Sequence, residues 1–406
     1  MTSPNLARPT ESIRTDPEGA APRLSRAAAF AMALSAGALA ANLYYAQPVV
    51  ALIGADLGMS PAMESLIVTA SQIGYALGLV CLVPLGDVVE NRRLILLTMA
   101  AAALGLVALA LTPSLPLLLA LTLLVGVAST AAQMIVPLAA SFAPAEERGR
   151  IVGNIMTGLL GGILLARPVS SFVAGFAGWR GIFLFSALLV AGLALAGSRL
   201  FPARRPAGRE RYGTLIRSLG RLFLTEPVLR RRALYHAGLF AAFGAFWTGA
   251  PILLLREPYN LSPQWVALFT LSGALGVLAA PVAGRMADRG HSRRGTLIAI
   301  SLVLVAMLVA FLGTHSLAAL VVAGILVDLG VQANLVIGQR EIFQLDAAIR
   351  NRLNAVYMTT FFLGGALGSS LTSPILERFG WQGVAALGGF FPALALLYFL
   401  TAERRS

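Results

Sequence analysis

Long apolar runs alternate with short polar segments along almost the whole chain. A helix that crosses a bilayer needs roughly 20 mainly apolar residues, and these runs have that length. Only the connection from about 200 to 232 is long, and it divides the runs into two groups of six. The twelve predicted spans are about 27–53, 62–86, 93–112, 115–140, 150–175, 180–199, 233–255, 263–284, 295–313, 316–339, 352–376 and 381–401.

The arginines indicate which side of the predicted membrane each loop occupies. With the N-terminus placed inside, the inner segments hold 27 arginines, and the outer loops hold three, Arg180, Arg256 and Arg378. Cytoplasmic loops of membrane proteins are enriched in basic residues. One missed span would invert every later loop, so the asymmetry supports both the span count and two cytoplasmic termini.

Composition excludes several functional classes. The chain is 57% hydrophobic and 12% charged, whereas a soluble domain carries about a quarter charged residues. Its net charge of +13 lies in loops between spans, so we expect no nucleic-acid partner. All 31 basic residues are arginine, a bias that, with the Ala, Leu and Gly content, is typical of high-GC bacterial genomes. With one cysteine, Cys81, three scattered histidines and no lysine, we predict no metal site, no cofactor and no enzymatic activity.

Five segments follow from the span pattern. Residues 1–26 are polar and predict a disordered cytoplasmic tail; a signal peptide is the alternative, although eleven further spans follow. Residues 27–200 and 233–401 form two six-helix bundles. The basic linker 201–232 is either a tether or a surface helix on anionic lipid. Residues 402–406 form a second tail.

The two groups of spans resemble each other at a nearly constant offset. An acidic residue followed by an arginine pair recurs 201 residues apart, as Asp87, Arg92 and Arg93 after the second span and Asp288, Arg293 and Arg294 after the eighth. Gly178-Trp179 and Gly380-Trp381 lie 202 residues apart, before the sixth and twelfth spans. Each group has an even number of spans, so the repeats are parallel, and we expect a site between them.

With these features the chain resembles the major facilitator superfamily over nearly its whole length. That family carries a Gly-x-x-x-Asp-Arg-x-Gly-Arg-Arg motif between helices 2 and 3, and more weakly between helices 8 and 9. The second copy here matches better, with Gly284, Asp288, Arg289, Arg293 and Arg294; the first has Val83 and Val88 in place of Gly and Arg. The run Asn42-Leu43-Tyr44-Tyr45-Ala46-Gln47-Pro48 is similar to the bacterial drug and sugar-efflux branch. The resemblance implies an all-α membrane protein of two parallel six-helix repeats, located in a bacterial inner membrane as a monomer.

The resemblance also implies a gate at the cytoplasmic side. It places Asp87 against the start of helix 11 and Asp288 against the start of helix 5, where helix dipoles stabilise carboxylates. Basic neighbours can add charge-assisted bonds, and such contacts would close the cytoplasmic side; ordinary loop charge is the alternative. The predicted gate residues are Asp87, Arg92, Arg93, Asp288, Arg289, Arg293, Arg294, Arg148 and Arg350.

Two ionisable side chains lie deep within predicted spans. Arg167 and Asp328 are each 11 residues from the outer end of their span, or roughly 16 Å. Charges at this depth are costly, so each is a functional candidate. Equal depth leaves three options open: a direct ion pair, separate roles in a cavity, or structural contacts with the backbone.

Further polar residues are candidates for a substrate cavity. Asp328, Gln332 and Gln339 fall on one face of the tenth span, and Asn334 lies off that line. In the resembling family, helices 1, 4, 7 and 10 line the cavity. This implies additional candidates from the other three helices, namely Asn42, Tyr45, Gln47, Gln133 and Trp247.

These features predict a secondary transporter that moves a small organic compound by alternating access. We expect the small molecule, protons and the lipid bilayer as partners, and proton-coupled export with Asp328 as the proton site. Proton-coupled uptake is the alternative, and a non-transporting membrane sensor is a third. Two departures from the family's exporters bear on this choice: helix 1 carries no acidic residue, and Arg167 stands where exporters often have Gly before Pro168.

Overall fold

The structure is a computed structural model that describes residues 24–143, 147–206, 211–346 and 349–402. Within these residues, nine helices are long and apolar enough to span a membrane. Two of them contain 53 residues each and turn at a single glycine with positive φ, Gly178 (68°) and Gly380 (65°). Glycine adopts this conformation without a steric penalty, so each long helix is two spans joined by a tight turn. With the first span broken into shorter pieces, the predicted fold of twelve spans is confirmed.

The first six spans form an N-terminal bundle. Its helices are α1 (Arg26–Ala41), α2 (Val50–Asp56), α3 (Leu66–Cys81), α4 (Asn91–Leu111), α5 (Leu115–Ser129), α6 (Ala131–Ser141) and α7 (Arg148–Leu200). Short 3₁₀ segments at Gln47–Val49, Pro61–Met63 and Val83–Asp87 extend the first two spans. Each of these segments contains a proline at its first or second position, which removes a backbone donor and interrupts the α-helical pattern.

The last six spans form a C-terminal bundle, which follows the linker helix α8 (Tyr212–Thr225). Its helices are α9 (Pro227–Leu255), α10 (Pro263–Leu271), α11 (Ala279–Asp288), α12 (Ser292–Ala310), α13 (Leu317–Phe343) and α14 (Arg350–Ala402). The 3₁₀ segment Ser272–Leu278 joins α10 to α11 within the eighth span, and Phe311–Thr314 ends the ninth.

The internal repeat is also present in the packing. In the N-terminal bundle α1 lies so close to α7 that a methyl group added to Gly162 would collide with the carbonyl of Gly37. In the C-terminal bundle α9 approaches α14 in the same way, and a methyl group on Gly364 would collide with the carbonyl of Ala237. Gly162 and Gly364 are 202 residues apart, so small residues provide close helix contact at equivalent positions.

The outer surface of the bundles is apolar. On α4, Leu97, Leu104 and Leu111 are each about 70% exposed and recur every seventh residue. A stripe of this kind is unfavourable in water and is solvated by lipid tails in a membrane. The chain is therefore a multi-pass membrane protein.

The loops define two ends of the molecule. We call the end with the connections around 88–90, 201–206, 289–291 and 344–346 the arginine-rich face, and the end with the turns at 57–60 and 256–262 the opposite face. At the opposite face the bundles touch: the Ser65 backbone N–H donates to Ser373 Oγ at 3.0 Å, the Ser373 N–H donates to Ser65 Oγ at 3.3 Å, and Arg256 pairs with Glu64. At the arginine-rich face a cavity separates them, lined by residues of both bundles.

The linker helix α8 lies at the arginine-rich face. Leu215 and Leu219 are buried against the protein and line the cavity there, and the Tyr212 hydroxyl donates to the Cys81 carbonyl at 2.6 Å. The linker predicted at 201–232 thus contains a helix, as in the surface-helix option, and its apolar side packs on the bundles; the last residues of the predicted linker, from Pro227, belong to α9. Linker residues 207–210, tail residues 1–23 and tail residues 403–406 lie outside the described ranges.

Candidate functional site

A second cavity, which we call the central cavity, lies between the two bundles near the middle of the spans. Its empty volume is about 820 Å³, including the part that is open to solvent. It extends along α13 from Asp328 to Gln339, or roughly 16 Å at 1.5 Å per residue, toward the arginine-rich face. Its wall is mainly apolar and combines aliphatic side chains with the aromatic residues Tyr44, Tyr75, Phe240, Phe243, Phe361 and Phe362.

Amide side chains add polar groups to this wall. Gln332 and Gln339 line the cavity together with Asp328, as predicted from their spacing on one face of α13. Gln133 on α6 also lines it and donates to the Tyr75 hydroxyl at 3.0 Å. Among the described residues that line the central cavity, Asp328 is the one carboxylate.

The Asp328 carboxylate is paired across the two bundles. Arg167 Nη2 on α7 donates to Asp328 Oδ1 at 3.2 Å, and the two side chains are 2% and 8% exposed. Trp247 Nε1 on α9 donates to Asp328 Oδ2 at 2.6 Å. Of the three options that the sequence left open, the structure therefore contains the direct ion pair.

The Arg167 guanidinium also contacts two aromatic rings. Its Cζ lies 3.8 Å from the centre of the Trp247 ring and 5.2 Å from the centre of the Phe243 ring, distances at which a desolvated cation is attracted to the ring. The backbone of the eighth span covers the pair closely, because a Cβ added at Gly273 would lie 3.1 Å from Asp328 Oδ2. Two nitrogen atoms of Arg167, Nε and Nη1, are buried and have no hydrogen-bond partner in the described part of the chain.

Six predicted candidates are absent from the lining of the central cavity. Arg167 and Trp247 hold Asp328 beside it, and the other four lie elsewhere. Asn42 is turned into the N-terminal bundle, where it donates to Ser129 at 3.4 Å and accepts from Ser186 at 2.6 Å. Tyr45 and Gln47 are also buried and absent from the lining of the central cavity. Asn334 contacts His236 Nδ1 at 3.0 Å and does not line the cavity. These corrections share one cause: a polar residue on a cavity-lining helix can face neighbouring helices instead of the cavity.

The lining also includes residues outside the predicted set of site residues. His236 lines the cavity and stacks on Tyr357 with ring centres 5.5 Å apart. Tyr75 and Phe362, whose rings lie 4.5 Å apart, join the two bundles at the cavity wall. Tyr75 could have been found from the sequence, because a tyrosine in the middle of an apolar span is a candidate for the lining of a cavity.

The predicted gate residues lie at the arginine-rich face but mostly contact their own bundle. Asp288 pairs with Arg340 at 2.9 Å, so its partner here is not the start of the fifth span. Arg350 Nε donates to the Phe343 carbonyl at 2.9 Å. Asp87 lines the cavity at this face together with Arg352, across the two bundles.

The remaining gate arginines belong to the same surface. Arg92 donates to the Ser198 carbonyl of the N-terminal bundle, and Arg93 lies 3.8 Å from Glu90, which caps the N-terminus of α4. Arg289, Arg293 and Arg294 are exposed. The side chain of Arg148 lies outside the described part of the structure. The structure thus groups these residues at one face, and their role as a gate stays a prediction.

Comparison with known proteins identifies similar chains. The family model described as Major Facilitator Superfamily matches residues 30–338 and 237–406. The putative uncharacterized transporter YgaY of Escherichia coli K12 is 40% identical over 92% of this chain and 95% of its own length. The probable transporter SCO4007 of Streptomyces coelicolor is 33% identical over 99% of this chain and 95% of its own length. A crystal structure of a bacterial homologue of the human lysosomal transporter Spinster, in an inward-facing and unoccupied conformation, has the same fold, with a TM-score of 0.76 and 16% identity over 93% of this chain and 96% of that chain.

Proposed function

This chain belongs to the Major Facilitator Superfamily, and we propose that it is a proton-coupled transporter that moves a small organic compound by alternating access. It is a membrane transporter of this family type; the coupling, the direction and the substrate are what we propose. The single observation that carries the proposal is the buried Arg167–Asp328 pair, which bridges the two bundles beside the central cavity.

The pair has the position that a coupling site requires. It lies on the opposite-face side of the central cavity and joins α7 to α13, so it contributes to closure on that side. Protonation of Asp328 would remove the negative charge that holds Arg167 and weaken this cross-bundle contact. A proton would thereby shift the balance between two states of the transporter, as a ligand does when it binds one state better than the other.

We infer that the arginine-rich face is cytoplasmic and that the protein lies in a bacterial inner membrane. The excess of arginine in these loops supports the assignment. With this orientation, the described conformation is closed to the outside through Ser65, Ser373, Glu64 and Arg256. The two cavities described above lie on the cytoplasmic side of these contacts. The gate formed by Asp87, Asp288 and the neighbouring arginines would close that side in the alternate state.

Two transport directions are candidates. Proton-coupled export is supported by the similarity of residues 42–48 to the drug and sugar-efflux branch. Proton-coupled uptake is supported by a different observation, the unpartnered nitrogen atoms of Arg167, which could hold a substrate together with a proton on Asp328.

The proposal is tested in cells that lack their own exporters. Accumulation of a panel of fluorescent amphipathic compounds and labelled small metabolites is followed before and after an uncoupler collapses the proton gradient. Wild type is compared with Asp328→Asn and with Asp56→Asn, a matched control in which the carboxylate lies in an exposed pair with Arg180.

We expect wild type and Asp56→Asn to change accumulation of at least one compound in a gradient-dependent way, and Asp328→Asn to lose that dependence. Lower accumulation would indicate export, and higher accumulation would indicate uptake. Gradient-dependent transport that is unchanged in Asp328→Asn would remove Asp328 from the coupling step.

A further inference from the structure

We propose that the substrate is a small organic anion with a carboxylate group next to an aromatic ring, and that Arg167 binds this carboxylate when Asp328 has taken up a proton. The inference rests on the proposed function, because it assigns the substrate class for the same site.

The first argument is the incomplete hydrogen bonding of Arg167. A guanidinium has five N–H donors in a planar fork, and the structure gives one of its nitrogen atoms a bond to Asp328. The Nε and Nη1 atoms are buried and have no partner among the described residues. Buried donors on a charged group are costly when unsatisfied. A substrate carboxylate that takes the place of Asp328 at Nη2 would bind Nη2 together with Nη1 or Nε, and each of these pairs forms the planar fork for which arginine is best suited.

The second argument is the charge around the cavity. The titratable groups that face Asp328 are Arg167 from α7, at 3.2 Å, and Tyr44 from the turn after α1, whereas Tyr75 and His236 are further titratable residues of the cavity lining. The Arg167 charge balances that of Asp328, so no negative charge is left over to hold a cation. When Asp328 is neutral, the positive charge of Arg167 is left over instead, and it favours an anion.

The third argument is the shape and chemistry of the wall. Phe243 and Asp328 contact Arg167 on one side and line the central cavity on the other. A carboxylate that replaces Asp328 at Arg167 would therefore leave the rest of its molecule inside the cavity. Beside aliphatic side chains, the wall contains Tyr44, Tyr75 and four phenylalanines, and aromatic rings pack well against each other in offset or edge-to-face contact.

These arguments connect the substrate to the proton. A substrate anion and the Asp328 carboxylate compete for the Arg167 guanidinium. If Asp328 stayed ionised while the substrate bound, two negative charges would be buried next to each other. The substrate therefore binds when Asp328 is protonated. The proton resides on the Asp328 carboxyl and the substrate remains an anion. The two therefore bind to the same state of the transporter, and with an inward-directed proton gradient this coupling favours uptake.

The test measures ligand binding by purified full-length protein in detergent. The probes are benzoate, 4-hydroxybenzoate and phenylacetate, each with its neutral amide and its amine, so that size is kept while charge changes. The proteins are wild type, Asp328→Asn and the double variant Arg167→Gln/Asp328→Asn. The double variant Arg180→Gln/Asp56→Asn is the matched control for loss of an exposed pair. The dependence of the melting temperature on the concentration of each compound gives its dissociation constant.

We expect at least one carboxylate to bind wild type more tightly than its amide and amine. Asp328→Asn keeps Arg167 without a competing charge, so the same carboxylate should bind this variant about tenfold or more tightly than wild type. The exposed-pair control should bind like wild type, and Arg167→Gln/Asp328→Asn should lose the preference for the anion.

Three results would overturn the inference: tighter binding of the amines or amides, no binding of any carboxylate to wild type and Asp328→Asn, or full carboxylate binding by Arg167→Gln/Asp328→Asn. Its failure is distinguishable from failure of the proposed function. Gradient-dependent transport of a cation or neutral compound would leave the proposed function standing. Carboxylate binding through Arg167 without any gradient-dependent transport would contradict the proposed function instead.

Discussion

Single and double substitutions at the buried Arg167–Asp328 pair should affect the stability of the protein in different ways. Arg167→Gln leaves Asp328 buried with one remaining hydrogen bond, from Trp247, and an uncompensated buried charge of this kind costs about 3–5 kcal/mol of stability. Asp328→Asn leaves Arg167 stacked on Trp247 at 3.8 Å. Because a desolvated cation–π contact retains about 2 kcal/mol, we expect Asp328→Asn to cost less than Arg167→Gln.

The double variant Arg167→Gln/Asp328→Asn removes both charges and keeps two side chains that can hydrogen-bond to each other. Replacement of a whole buried pair is often close to neutral, so the two single losses should not add. We expect a coupling free energy of about 2–3 kcal/mol from the double-mutant cycle. The same cycle on the exposed pair of Arg180 and Asp56 should give at most about 1 kcal/mol.

The assay is reversible unfolding of each purified variant in one mild detergent, followed by tryptophan fluorescence and by the fraction that remains monodisperse. Both cycles are run under the same conditions, so differences in detergent or purification affect them equally. Additive losses at Arg167 and Asp328, or a coupling no larger than that of the exposed pair, would refute the argument that the pair is held by mutual charge compensation.

Two further predictions concern packing and closure. Gly162→Val forces a side chain against the backbone of α1 and should lower the free energy of unfolding by about 1–3 kcal/mol. The control Gly161→Val, whose Cβ would have nothing within 4 Å, should melt like wild type in the same detergent. Equal melting temperatures of the two variants would contradict the close packing of α1 and α7. Ser65→Cys with Ser373→Cys, in a Cys81→Ser background, should crosslink on mild oxidation and stop transport until a reductant is added. Crosslinked protein with full transport would show that the opposite face does not need to open there.

Much of the fold could be predicted because a membrane makes the sequence signals strong. Apolar length gives the spans, and the arginine asymmetry ties each loop to one side. The turn glycines Gly178 and Gly380 show why the internal duplication could be recognised from the sequence. Both need positive φ, so glycine is the residue best suited to these two equivalent turns of the repeat.

The candidate site could be predicted only in part. Asp328 and Arg167 were found because buried charges at equal depth are rare, and Gln332 and Gln339 because helical spacing fixes which residues share a face. The same spacing does not show which face meets the cavity and which meets a neighbouring helix. Asn42 was therefore misplaced, since its partners Ser129 and Ser186 come from helices whose contacts only tertiary structure reveals.

The most direct test of proton coupling through Asp328 uses proteoliposomes that contain a pH-sensitive dye and no imposed proton gradient. A gradient of a transported compound, found in the cell-based panel, is applied to vesicles with wild type, Asp328→Asn or Asp56→Asn. We predict that wild type and Asp56→Asn move protons in response, and that Asp328→Asn binds the compound without moving protons. Proton movement by Asp328→Asn at the wild-type rate would contradict the central claim.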